Sequence, residues 1–238
     1  MIKFENTEVM NFDGAIRGMR NPMNSWDKSD SYKCDKCMNE PVWPCECPLN
    51  NYSWLHVLND DCYQYVIGPN DLDLMKRLIK AGSDHRKFLR QILVSVDITA
   101  PLYWWKEFDT YKVGTVANSC STMHKIHTKE FTLKDFSCEH LSDTSLSVLK
   151  RVIEDLNFSR KAFIGEFEDI PKGQRSQWWD MIQLLPSSYN QKRTVTLNYE
   201  VLRNIRNSDR KTHKLDEWRV GFMNWIDSLP YAEELLKL

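Results

Sequence analysis

Between Ile92 and His124 the sequence runs from a strand into a helix and then a polar loop, with almost no chain between them. Ile92, Val94, Val96 and Ile98 recur at every second position, the period of a strand with one buried face. Pro101 suits a first helical position because its φ is already near the helical value. Tyr103, Trp104, Trp105 and Phe108 follow within a turn and a half, mixed with Lys106, Glu107 and Asp109. Gly114 breaks that register, and Thr115, Asn118, Ser119, Ser121 and Thr122 come after it. Their short polar side chains compete for backbone hydrogen bonds, so helix propensity across them is low. Such a loop behind an aromatic helix can hold a phosphate or a heterocycle, and it is equally the form of a capped helix–loop–helix join.

The flanking sequence supplies what this unit packs against. Residues 2–12 alternate weakly as an opening strand, and residues 14–61 show no regular period. Asn70 reads as the N-cap of a helix with Asp71 and Asp73 in its first turn and Leu72, Met75, Leu78 and Ile79 on one face, stopped by Gly82. Residues 122–145 read as surface. Residues 146–168 and 174–185 read as helices, residues 193–197 as a short strand and residues 198–210 as a helix. Trp218, Phe222, Trp225, Ile226 and Leu229 form the apolar stripe of a last, packed helix. No repeat and no long linker divides the chain. The expectation is an α+β fold, helices around a modest twisted sheet, in a single domain over residues 1–238.

At 238 residues and a net charge of −1 the chain has ample volume for a core and lacks the basic excess of a general nucleic-acid binder. No apolar run reaches the roughly 18 residues of a membrane span, and MIKFENTEVM is no secretory signal, so the expected location is cytoplasmic. Within a segment at residues 27–62, Cys34, Cys37, Cys45 and Cys47 are spaced C-x2-C-x7-C-x-C. Four thiolates so close can close a structural zinc site, or they stay free thiols in a reducing compartment. Arg17 and Arg20 are either a phosphate clamp or solvated surface arginines. The adjacent pairs Trp104–Trp105 and Trp178–Trp179 offer flat faces to a cofactor, a core or a subunit interface.

Read together, the motifs resemble those of the flavin-dependent thymidylate synthases. The order is a helix, His85, a strand, Ala100–Pro101, an aromatic helix and a polar loop. Leu185–Pro186, Thr196-x-Asn198 and His213-x3-Glu217-x-Arg219 complete it. Leu202 and Asn204 also fall on family positions, and Lys106–Lys112 lies where the family carries R-Q-W-x-R-H-R. The resemblance covers roughly residues 65–230. It implies a thymidylate synthase-complementing-protein-like fold and a homotetramer with active sites at subunit interfaces. It also implies FAD, dUMP or a related pyrimidine deoxynucleotide, and NADPH and methylenetetrahydrofolate as co-substrates.

Carried over residue by residue, the resemblance places His85, Lys112 and Asn198 toward FAD. Thr115, Asn118, Ser121 and Arg219 fall toward the nucleotide, with Arg219 and Ser121 nearest the chemistry and Cys120 a bystander. The family's R-H-R becomes Thr110-Tyr111-Lys112, its glutamine becomes Glu107, and its E-H pair becomes Arg90-Gln91. Ile182 stands where an arginine holds the nucleotide phosphate. Asp209 stands where an arginine activates the pyrimidine, with Arg206 and Arg210 nearby. Isoleucine cannot replace a bidentate phosphate ligand, which leaves Lys192, Arg193 or Arg203 to supply the charge. Two functions follow: a divergent one-carbon-transferring flavoenzyme, or a catalytically altered nucleotide-binding or regulatory protein on the same scaffold.

Overall fold

The computed structural model describes residues 2–33, 65–111 and 113–237. The chain opens on strand β1 (Lys3–Met10) and turns at Asn11, in the left-handed region, into helix α1 (Phe12–Arg20). This helix lies in the stretch expected to lack periodicity. Phe12, Ala15, Ile16 and Met19 are buried along it at helical spacing. Gly14 and Gly18 lower its intrinsic propensity by about 1 kcal/mol each, and the buried stripe overrides them.

Two short strands, β2 (Tyr32–Lys33) and β3 (Tyr65–Val66), pair antiparallel with Tyr32 opposite Val66 and Lys33 opposite Tyr65. Helix α2 (Pro69–Lys80) follows, and its start differs from expectation. Gly68, not Asn70, is the N-cap, because Pro69 takes the first helical position. The capping oxygens come from far along the chain. The Asp30 carboxylate accepts from the backbone N–H groups of Asn70 (2.9 Å) and Asp71 (3.1 Å). A Cβ on Gly68 would stand 2.2 Å from the Asp30 carboxyl, so this approach requires glycine.

Strand β4 (Leu93–Pro101) runs directly into helix α3 (Leu102–Phe108), as the alternating and aromatic runs dictate. Strand β5 (Val116–Ser119) precedes helix α4 (Asp143–Ile164), capped by Ser142 and ended by Gly165 at φ +84°. Helix α5 (Arg175–Leu184), strand β6 (Asn190–Asn198) and helix α6 (Tyr199–Arg206) follow. A π-helical turn, Glu217–Phe222, continues as helix α7 (Met223–Asp227), and α8 (Ala232–Leu235) closes the chain. The four-stranded sheet has the order β1-β4-β6-β5. No helix among the described residues is long and apolar enough to cross a membrane.

The chain forms two compact units. One comprises residues 1–3, 98–110 and 117–194. Its α3 buries Trp104 and Trp105 edge to face at 4.9 Å, so this tryptophan pair is core. A second cluster joins Ile126, Phe131, Phe136, Leu149, Ile153, Leu156 and Met181. Part of the stretch expected at the surface therefore dives inward. Asn157 on α4 explains the turn at Phe131, bonding both its N–H (2.9 Å) and its carbonyl (2.8 Å). Trp178 and Trp179 are partly exposed, and Trp178 donates to the Met123 carbonyl.

The other unit comprises residues 4–97, 111–116 and 195–238. Its aromatic core includes Phe4 stacked on Trp225 at 4.8 Å, and Phe12 edge-on to Tyr199 and Tyr231. Beside it lies a buried ion pair. Arg20 Nε donates to Asp71 Oδ1 at 2.6 Å, while its Nη atoms donate to the carbonyls of Ser25 and Lys28. Asp71 Oδ2 accepts from the Ser29 and Ser31 hydroxyls and from the Asp30 and Ser31 N–H groups. Arg20 is 4% exposed and Asp71 0%, so Arg20 is committed to the fold, and Arg17 alone is a surface arginine. Burial pushes the Asp71 carboxyl upward, but its bonds to Ser31, Ser29 and Arg20 outweigh that and lower its pKa.

Candidate functional site

In the second unit the polar residues gather around the start of α6. Asn198 is its N-cap, and Asn198 Oδ1 accepts from the Val201 N–H at 3.0 Å. That bond turns the amide so that Nδ2 stands 2.8 Å from where a Cβ on Gly114 would lie. Gly114 has φ +75°, a conformation that L side chains rarely adopt, so the backbone reaches the amide only because the residue is glycine. The next residue, Thr115, buries its Oγ1 with no hydrogen-bond partner among the described residues. The Asn198 amide nitrogen and the Thr115 hydroxyl thus both lie close to the Gly114 backbone. An unsatisfied buried hydroxyl costs about 1–3 kcal/mol.

One turn along α6 lies a cluster of charges. Both oxygens of Glu200, 7% exposed, accept from Arg86 Nε at 3.0 and 3.1 Å. Arg203 stands beside them, half-buried. Burial and then the Arg86 charge lower its pKa, against the opposing pull of Glu200. Arg86 was not singled out in the sequence although it adjoins His85. Its partner is 114 positions away, and nothing local signals that pairing.

A third group forms around Arg206 and Arg210, on either side of Asp209. Arg210 lies over Trp218 at 4.9 Å and over Tyr111 at 5.6 Å, and its Nε donates to the Tyr111 hydroxyl at 2.8 Å. Arg206 instead makes a two-pronged pair with Asp227 at 2.7 and 3.1 Å. Of the two arginines near Asp209, Arg210 is the one laid on an aromatic platform.

Other expected site residues of this unit make their bonds elsewhere. His85 is exposed in the turn after α2, its N–H bonded to the Gly82 carbonyl. Arg219 is about half exposed on the π-helical turn and pairs with Asp216. Lys112 and Cys34, Cys37, Cys45 and Cys47 lie outside the described residues. Among the described residues no cluster of metal-ligating side chains is present.

The first unit carries Asn118 and Ser121. Asn118 is exposed on β5. Ser121 closes a turn, its Oγ accepting from the N–H groups of His124 (2.8 Å) and Met123 (3.3 Å). Gln191 fastens the same loop by donating to the Cys120 carbonyl at 2.7 Å. Arg193 is pinned by Asp109 at 2.8 Å, by Gln191, and by the Trp105 ring at 4.2 Å. Of the substitute cations named from the sequence, Arg193 is thus tied down by carboxylate and ring.

No family model and no curated protein matches the chain. Solved structures do. The thymidylate synthase X of Helicobacter pylori, crystallised with FAD and dUMP, superposes with a TM-score of 0.61 at 15% identity. That match covers 100% of this chain and 98% of the other. A second structure, of the flavin-dependent thymidylate synthase of the same organism with FAD and dUMP, gives a TM-score of 0.61 at 16% identity. It covers 99% of this chain and 98% of its own. The α+β fold expected from the motifs is the fold found: from end to end, the chain folds as a flavin-dependent thymidylate synthase does.

Proposed function

We propose that this chain is a divergent flavoenzyme that transfers a one-carbon group to dUMP or a related pyrimidine deoxynucleotide. The observation that carries the reading is the full-length likeness to synthases crystallised with FAD and dUMP. The donors around Gly114 support it. The Asn198 amide, the Thr115 hydroxyl and the guanidiniums of Arg86 and Arg203 are the kinds of group that a phosphorylated, carbonyl-bearing ligand engages. Reduced flavin, when bound, would supply the hydride, with NADPH as reductant and methylenetetrahydrofolate as carbon donor.

In this reading Asn198 and Thr115 hold the ligand's hydrogen-bonding edge, and Lys112 and His85 contribute on the flavin side. Asn118, Ser121 and Arg219 serve the nucleotide. Arg210, laid against its two rings, would supply a cation beside Asp209, where the family carries an arginine. Assembly is as a homotetramer in the cytoplasm. Cys34, Cys37, Cys45 and Cys47 would form a structural zinc site apart from the chemistry.

A second reading has its own observation. Arg193, Arg206 and Arg219 are each spent on a carboxylate, as is Arg86. A protein that binds a nucleotide without turning it over would tolerate such commitments. The two readings separate in one assay. Protein loaded with FAD and reduced by NADPH is mixed with dUMP and methylenetetrahydrofolate, and the nucleotide is recovered. The enzyme reading expects thymidylate in a single turnover. Bound but unaltered dUMP would favour the second.

A further inference from the structure

Helices α4 and α5 pack side by side and leave a groove of about 470 Å³ lined by Asp155, Phe158, Ser159, Asp180, Gln183 and Leu184. Its apolar walls are open. Phe158 is 55% exposed and Leu184 42%, although Phe158 is backed by Phe167 at 5.2 Å. Val148, nearer the start of α4, is also exposed. Apolar surface left in water is stabilised by about 25 cal/mol per Å² when something covers it, and nothing in this unit does.

The lining of the groove carries two carboxylates, Asp155 and Asp180, and no cation. Asp155 has Arg151 at 3.5 Å, a loose pair between two largely exposed side chains. Asp180 has no ion-pair partner among the described residues. The charge of these two carboxylates disfavours nucleic acids and anionic membrane surfaces. It suits a positively charged occupant with an apolar side.

We propose that the groove between α4 and α5 docks a short basic segment of a partner polypeptide. Its apolar side chains would cover Phe158 and Leu184, and its lysines or arginines would face Asp155 and Asp180. A groove of this size corresponds to a weak, exchangeable contact, steered by charge and fixed by the apolar anchors. The proposal does not depend on the flavin chemistry.

The test uses the full-length protein and two synthetic amphipathic peptides, one of leucine and lysine and one of leucine and glutamate, titrated calorimetrically. The lysine peptide is expected to bind and the glutamate peptide not to bind. The double variant Asp155→Asn/Asp180→Asn and the single variant Phe158→Ser are each expected to weaken binding about tenfold or more. Asp73→Asn, on an exposed carboxylate of α2, is expected to change nothing. Equal weakening by Asp73→Asn would mean diffuse charge attraction and would overturn the proposal. So would a Phe158→Ser variant that binds as well as the parent. Sedimentation of Phe158→Ser closes the remaining route: if that variant breaks up an assembly of the chain with itself, a second copy occupies the groove and the proposal fails.

Discussion

At the scale of single residues, the most consequential commitment is Asp71. It sits in the second unit with Arg20 against one oxygen and four donors on the other, so removing its charge leaves a guanidinium buried without a counter-ion. Asp71→Asn is expected to lower unfolding free energy by about 3–5 kcal/mol, read by chemical denaturation. The folded carboxyl titrates below its unfolded value, so its contribution is complete above the ordinary carboxylate pKa of about 4 and is lost as pH falls through the folded value. Stability of the parent should therefore drop in that acid window, and Asp71→Asn should show a shallower drop. Gly114→Ala makes a second, separate prediction. The added Cβ meets Asn198 Nδ2 at a positive φ, so a loss of about 1–3 kcal/mol in stability is expected. In the proposed function ligand affinity should fall with it, because the Asn198 amide is displaced.

At the scale of elements, what was legible in the sequence was whatever local periodicity decides. The alternating run gave β4, and Asn198 is the N-cap that its residue type suits. Asn198→Ala is expected to cost about 1 kcal/mol by thermal or chemical denaturation, and to weaken FAD binding as well if the amide serves the ligand. Two misreadings have clear physical origins. Helix α1 was hidden because two glycines mask a buried stripe, and the stripe is set by tertiary packing. The start of α2 differs from expectation because Pro69 takes the first helical position, and the Asp30 carboxylate, far along the chain, bonds the N–H groups of Asn70 and Asp71. The candidate site was less legible than the fold for the same reason. Thr115 and Asn198 could be named from motifs, whereas Arg86–Glu200 and Arg210–Tyr111 are contacts across long stretches of chain. Residue type alone could not separate Arg20, buried in an ion pair, from Arg17 on the surface three positions earlier.

At the scale of the whole molecule, the fold is that of flavin-dependent thymidylate synthases, while many of the charged motif positions named from the resemblance differ. A fold rests on buried apolar positions, and those survive wide substitution as long as volume and pattern are kept. A site rests on individual groups, and fold alone does not guarantee them. Two measurements bear on composition and assembly. Metal analysis of purified protein is expected to find one zinc per chain, and Cys34→Ser/Cys37→Ser is expected to remove it. Light scattering is expected to give the mass of four chains. The central claim of the proposed function is that this scaffold binds a flavin beside Gly114. It is tested most directly by the visible absorption spectrum of the protein titrated with FAD, parent and Gly114→Ala side by side. The account predicts a bound, NADPH-bleachable flavin in the parent and a much weaker complex in the variant. A parent protein that stays colourless and leaves added FAD free in solution would contradict it.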